Sequence, residues 1–437
     1  MDTLISNVTV VTMNARMDVL FGAYIGVKDG KIAYISKEPP QEQPQTIIDG
    51  TGMVAMPGLI NCHTHLADTA LRSLTDDMSR AQALEQQLNC QSKMDTRSAK
   101  AAALLGIAEC LRFGVTSVCD LCYDPEATAQ AAEESGIKAN IALAAHRFAD
   151  QSEEFDFETD PQCKELCRLA DKWHGFDVGR IRIDAGVHGE YTSNYPLWEG
   201  LSAFALERGL GMQLHLAQTQ AEADSCMDRN GLGVAELLDT HRLFAVSTVA
   251  AGCVALEEEE RKLLGKRGVS AVATPVASAK AGLPSTPIAQ CVKAGMNAAL
   301  GTGGAAECGN LDMFEQMRAA AMDARAAGGD ANAMPAGAVL MMATACGARA
   351  QNRAEETGML KEGMDADIVL VDFSAPHLSP CHDVMNALVF CAKGGDVAMT
   401  MVRGKILYQG GTFPTIDLNG VVQEMMTYAI PKMMDKE

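Results

Sequence analysis

The chain has 437 residues, 48% of them apolar and 21% charged, which is an ordinary globular balance and too much chain for one small core. A formal charge of −20 excludes the basic face that nucleic acid or an anionic membrane surface requires, and a small neutral or cationic ligand is the easier partner. No stretch approaches membrane-spanning length, and Met1-Asp2-Thr3-Leu4 opens no basic-then-apolar leader, so the expected location is the cytosol.

The chain begins with short alternating segments at residues 4–13, 23–27 and 31–35, the last two separated by Asp29-Gly30, a hairpin signal. An apolar strand from Met53 then ends in a Pro57-Gly58 turn, and directly behind it comes the strand end Asn61-Cys62-His63-Thr64-His65. Side chains two apart on a strand share a face, so His63 and His65 offer two imidazoles to one point. This is half of a metal site.

From there the rhythm changes to helix then strand. Residues 98–112 carry apolar side chains at helical spacing and stop at Gly114, after which 115–118 is β-branched. Strand-like runs follow at 141–145, 181–187, 212–216, 245–250, 270–273 and 298–301. Repeated βα units with strands apolar on both faces imply a parallel sheet, and their number suits a closed (β/α)8 barrel. Residues 366–371 and 398–408 return to the opening style, and neither end could form a stable sheet alone. The two ends are therefore expected to pair into one small β domain.

Chemistry in such barrels sits where the strands end. In order these residues are His63 and His65, Asp120, His188, His215 with Gln218, Gly252, Thr274-Pro275 and Gly303. His63, His65 and His215 could converge on one ion, since zinc accepts three neutral imidazoles plus water. Asp120 reads as a structural acid. The fourteen cysteines are scattered and read as reduced thiols. Cys119-Asp120-Leu121-Cys122 has redox spacing without the helix start that lowers a thiol pKa, and Cys163 and Cys167 sit one helical turn apart; both pairs are expected to pack in the core. The Gly303-Gly304 pair is no phosphate cradle, because no P-loop lysine accompanies it.

Several runs resemble the amidohydrolase superfamily, in particular its methylthioadenosine and S-adenosylhomocysteine deaminases and related chlorohydrolases. The likeness is carried by Met56-Pro57-Gly58-Leu59-Ile60-Asn61-Cys62-His63-Thr64-His65-Leu66, Gly114-Val115-Thr116-Ser117, Val187-His188-Gly189-Glu190-Tyr191, Thr302-Gly303-Gly304 and Gly363-Met364-Asp365-Ala366-Asp367. It implies an α/β fold with a TIM-like barrel over residues 58–354 and a composite β-sandwich from 1–57 and 355–437. It also implies one metal, zinc or another divalent ion, on two histidines after strand one, a histidine after strand five and an aspartate after strand eight.

His63, His65 and His215 match the first three ligands, while the aspartate position is Gly303. The proton-shuttling glutamate of the family is Gln218 here, its strand-six histidine is Gly252, and its His-Asn-Pro reads Ala273-Thr274-Pro275. An amide neither accepts nor donates that proton at neutral pH, so general acid-base help worth roughly two to four powers of ten is removed. Hydrolytic deamination by the family route is expected to be absent or very slow. Loss of the aspartate weakens the metal site without forbidding it, and a metal-free form stays open.

Glu190 and Glu307 are the carboxylates near enough in sequence to substitute. His188 is implied as a substrate contact, and Arg147, beside His146, could pair with a ligand carboxylate. The lid position after strand one reads Ala81-Gln82-Ala83-Leu84-Glu85-Gln86-Gln87-Leu88 and contains no aromatic, which removes a stacking surface for a purine. Three functions remain: a hydrolase with substitute acids, a ligand- or partner-binding homologue without turnover, or a metal-free lyase or isomerase using the histidines as acids and bases. A homo-oligomer is open in each.

Overall fold

A computed structural model describes residues 1–148 and 155–434, with Arg80 and Ala81 in backbone only. The β-branched N-terminal segments form β1 (Thr3–Val11), β2 (Val19–Lys28), β3 (Lys31–Ser36), β4 (Thr46–Asp49) and β5 (Met53–Pro57). Asp29 and Gly30 take positive φ of 52° and 77°, which matches the right-handed twist of the β2–β3 hairpin, where Lys28 pairs with Lys31.

Gly58 then turns the chain from one sheet into the other. A Cβ there would lie 2.0 Å from Thr116 Oγ1, so only glycine fits the corner. The turn expected at Pro57-Gly58 thus separates two strands that belong to two sheets.

The barrel comprises β6 (Leu59–His65), β7 (Val115–Cys122), β8 (Lys138–Leu143), β9 (Ile181–Val187), β10 (Met212–Leu216), β11 (Thr248–Gly252), β12 (Ser270–Ala273), β13 (Asn297–Leu300) and β14 (Gly303–Gly304). Neighbours pair in parallel from β6 through to β13, and β14 pairs back on β6 through Gly303 with Thr64 and Gly304 with His65. β13 and β14 are therefore two halves of the last strand, and the second half closes the ring. The strand expected at 245–250 begins later, because residues Leu243–Ala245 form a 3-10 turn before it.

After the barrel, β15 (Ile368–Asp372), β16 (Val397–Val402) and β17 (Lys405–Gln409) join the N-terminal strands in the order β17-β16-β15-β5-β1-β2-β3, with β4 on β1. Antiparallel β5 and β15 are the seam between the two ends of the chain. Ile5, Val8, Ile25, Ile32, Leu370 and Met399 form its buried core.

The strand interiors are not apolar throughout. Near the N-terminal ends of the barrel strands, Asn140, Asp184, Gln213 and the fully buried Arg353 form a polar floor. All fourteen cysteines are free, and Cys119 and Cys122 lie buried in β7. Among the described residues no helix is long and apolar enough to cross a membrane.

Candidate metal and ligand site

Strand period places His63 and His65 on one face at the end of β6, and β10 brings His215 across the barrel to meet them. Their ligating nitrogens all lie within 4.8 Å of one another. The Nδ1 atoms of His65 and His215 face the carbonyl oxygens of Leu121 at 2.6 Å and His188 at 2.7 Å. A carbonyl only accepts, so each Nδ1 carries the proton and donates. Each Nε2 is left with a lone pair for an ion, the arrangement by which an outer hydrogen bond fixes a ligating imidazole.

His63 Nε2 lies 3.2 Å from His215 Nε2. Two nitrogens on one tetrahedral zinc stand about 3.3 Å apart, from bond lengths near 2.0–2.1 Å. The donor set therefore fits a divalent ion. Burial pushes the pKa of His63 and His215 well below the ordinary value, and neighbouring imidazoles add to this, so both are neutral ligands at pH 7. Burial works in the same direction on His65, but the carboxylates of Asp68 and Glu307 outweigh it and raise its pKa.

These groups open on a cavity lined by His65, His188, His215, Asp68, Tyr123 and Glu307. Among the described residues no lysine or arginine lines it. His188 lies 5.2 Å from the His215 ring, and its Nδ1 is 3.0 Å from Thr192 Oγ1. The helix Arg80–Gln91 contributes Leu84, Gln87 and Gln91, so no aromatic comes from that segment; Tyr123, just past β7, supplies one instead.

The two acids considered as substitutes separate. Glu307 is on the cavity wall, but the buried Glu190 does not line it, because Arg229 Nη2 holds both its oxygens at 2.8 and 2.7 Å. A charged donor shared by both oxygens is what a buried carboxylate requires, and it holds Glu190 away from the cavity. Arg147 is likewise away from the cavity lining, its guanidinium 5.3 Å from the centre of the Phe155 ring. Asp120 accepts from the Leu66 N–H and from Thr128 Oγ1, both at 2.8 Å, as a structural acid does.

Gln218 packs over β11. A Cβ on Gly252 would lie 2.8 Å from Gln218 Cγ and 2.9 Å from the Leu216 carbonyl oxygen, and Gly252 has φ of +104°. Gln218 thus lies against the space that a side chain at 252 would enter.

Asp68 is a site residue that motif spacing did not reveal. It lies in the 3-10 turn Leu66–Leu71 directly after His65, and Gln91 Nε2 donates to it at 2.8 Å. Its position three residues past the second histidine was the available signal. Burial, with Glu307 and Asp120 nearby, raises it to about 6 against the pull of His65 and Gln91.

This fold and site define the class: residues 54–407 match the amidohydrolase family, and the chain belongs to it. It is 35% identical over 424 residues to a 5'-deoxyadenosine deaminase of Methanosarcina mazei, covering 97% of this chain and 96% of that one. A 5-methylthioadenosine/S-adenosylhomocysteine deaminase of Thermoanaerobacter pseudethanolicus is 32% identical over 424 residues, 97% of each chain. Among solved structures, an adenosine deaminase from Xanthomonas campestris with bound zinc superposes with a TM-score of 0.92 at 27% identity over 99% of each chain. An atrazine chlorohydrolase from Arthrobacter aurescens complexed with zinc shares the fold at a TM-score of 0.90, 24% identity, over 98% of this chain and 100% of that one.

Proposed function

We propose that the protein holds a divalent metal, zinc by preference, on His63, His65 and His215, and binds a small amino-heterocycle of the adenosine type without the ordinary turnover of a deaminase. The relatives act on 5'-deoxyadenosine and 5-methylthioadenosine by name, which supplies the ligand class. A bound zinc would supply Lewis acidity toward water or a ligand atom. The remaining tasks fall to the chain. His65 and His215 keep their Nε2 lone pairs inward through Nδ1–H bonds to Leu121 and His188, while His188 and Tyr123 flank the ligand.

The observation that carries the reading is the amide at 218, three residues past the strand-five histidine, where the resemblance puts the proton shuttle. A carboxyl there takes a proton from water and returns it to the ring and the leaving amine; an amide does neither. The test is ammonia release from 5'-deoxyadenosine, 5-methylthioadenosine and adenosine with zinc present, beside calorimetric binding of the same compounds and elemental analysis of protein purified without chelators. Binding and near-stoichiometric metal without ammonia is expected. Ordinary enzyme rates would reverse the reading.

One observation favours a second reading. Glu307 stands on the cavity wall, and a slow hydrolase could use it to move the proton. Slow ammonia release that disappears in Glu307→Gln would select that alternative.

A further inference from the structure

Two adjacent glycines form β14, and each has a carboxylate over it. Gly303 has φ of +70°, and a Cβ on it would lie 2.8 Å from Glu307 Oε2. On Gly304 a Cβ would lie 2.7 Å from Asp68 Oδ2 and 3.0 Å from the Asp68 Cβ. The acids come from different segments, one before the barrel's second strand and one after its last. Glu307 is folded back toward the strand tip, where its Oε2 lies 3.4 Å from the Gly304 N–H, and Asp68 is anchored by Gln91. Both line the cavity with His65 and His215.

We propose that Gly303-Gly304 is a seat for the carboxylates of Glu307 and Asp68, and that these two acids supply the negative charge that an acid at position 303 supplies in the family. The proposal rests on the three-histidine metal reading. Three imidazoles, neutral when they ligate, leave a divalent ion with its whole charge, and two carboxylates on the same cavity wall offset it without joining the ligand set. A side chain placed at 303 would put its Cβ 2.8 Å from Glu307 Oε2, closer than such atoms pack, so the carboxylate must leave its present place. A side chain at 303 and the present seat of Glu307 therefore exclude one another. The glycine at 303 is then a relocation of charge rather than a simple loss.

The experiment compares full-length protein with Glu307→Gln, Asp68→Asn, Gly303→Asp, Glu307→Ala and the double variant Gly303→Asp/Glu307→Ala. Zinc affinity is read by chelator competition and melting temperature is read without metal. Glu307→Gln and Asp68→Asn should each weaken zinc by about tenfold or more, the scale of outer groups at metal sites. Gly303→Asp should lower the melting temperature, and adding Glu307→Ala should give back part of the loss, the φ of +70° keeping the rest, a non-additive cycle. Unchanged zinc affinity in either neutral variant, or additive melting shifts, would overturn the seat. Should the unmodified protein bind no zinc at all, the three-histidine reading fails, and the melting cycle still decides whether 303 and 307 exclude each other.

Discussion

The two ends of the barrel handle buried charge in opposite ways. At the floor, Lys138 is 1% exposed and donates to Asp365 at 2.8 Å and Asp367 at 2.6 Å, tying β8 to the β domain. Arg353, also at the floor, reaches Asn140, Glu356 and the carbonyls of Ala139, Gly179 and Arg180. At the mouth, His63, His65 and His215 direct lone pairs at one another, and Asp68 is held at about 6. Charge at the floor is paired within the protein, whereas the inward-facing lone pairs at the mouth form a donor set that fits a cation. The same barrel thus separates stability from chemistry along its axis.

Five variants sharpen or break that contrast. The largest effect is expected from Lys138→Ala, which leaves Asp365 and Asp367 without their buried partner and should cost about 3–5 kcal/mol in denaturant unfolding, with zinc stoichiometry unchanged. His215→Ala should do the reverse. Zinc affinity should fall by more than about a hundredfold, equivalent to roughly 3 kcal/mol, while the metal-free protein melts near the unmodified temperature. A large loss of stability from His215→Ala would mean that the mouth, too, is structural.

Gly252→Ala should cost about 1–3 kcal/mol, because φ of +104° and the Leu216 carbonyl both oppose a side chain. Thermal melts check it, and the same strain predicts that restoring Gln218→Glu, Gly252→His and Gly303→Asp together yields a poorly folded protein rather than an active deaminase. The smallest effect belongs to the outer helices. Burial raises Glu126, but hydrogen bonds from Lys172, Gln130, Trp173 and Arg168 outweigh it and hold it at about 2, below the ordinary 4.5. A depressed carboxyl stabilises the fold above pH 4.5, and this is lost as pH falls toward 2. Glu126→Gln should therefore flatten the melting profile in that window by about 1 kcal/mol after solvent screening, and leave it unchanged under pH 2.

Much of the fold was legible in advance. The Asp29-Gly30 hairpin, the helix ending before Gly114 and the repeated βα rhythm are local signals, and they recur as β2–β3, Thr96–Arg112 and the parallel ring. The buried floor was not legible: Asn140, Asp184 and Gln213 look like isolated polar residues in apolar strands until Arg353 is brought among them. At the mouth, Glu190 and Glu307 were equivalent as loop acids. Arg229 takes the first and the glycine tip leaves room for the second.

By itself the sequence determined the order of strands and helices, the shared face of His63 and His65, and the residue types at 218, 252 and 303, because each is a matter of identity or of spacing within one segment. Only the tertiary structure decided that β14 closes on β6, that His215 arrives 3.2 Å from His63, and that Asp68 and Glu307 settle over two glycines. Those facts join segments up to 239 residues apart, as in the Thr64–Gly303 contact, and the direction of a side chain across such a gap is set by packing and charge pairing.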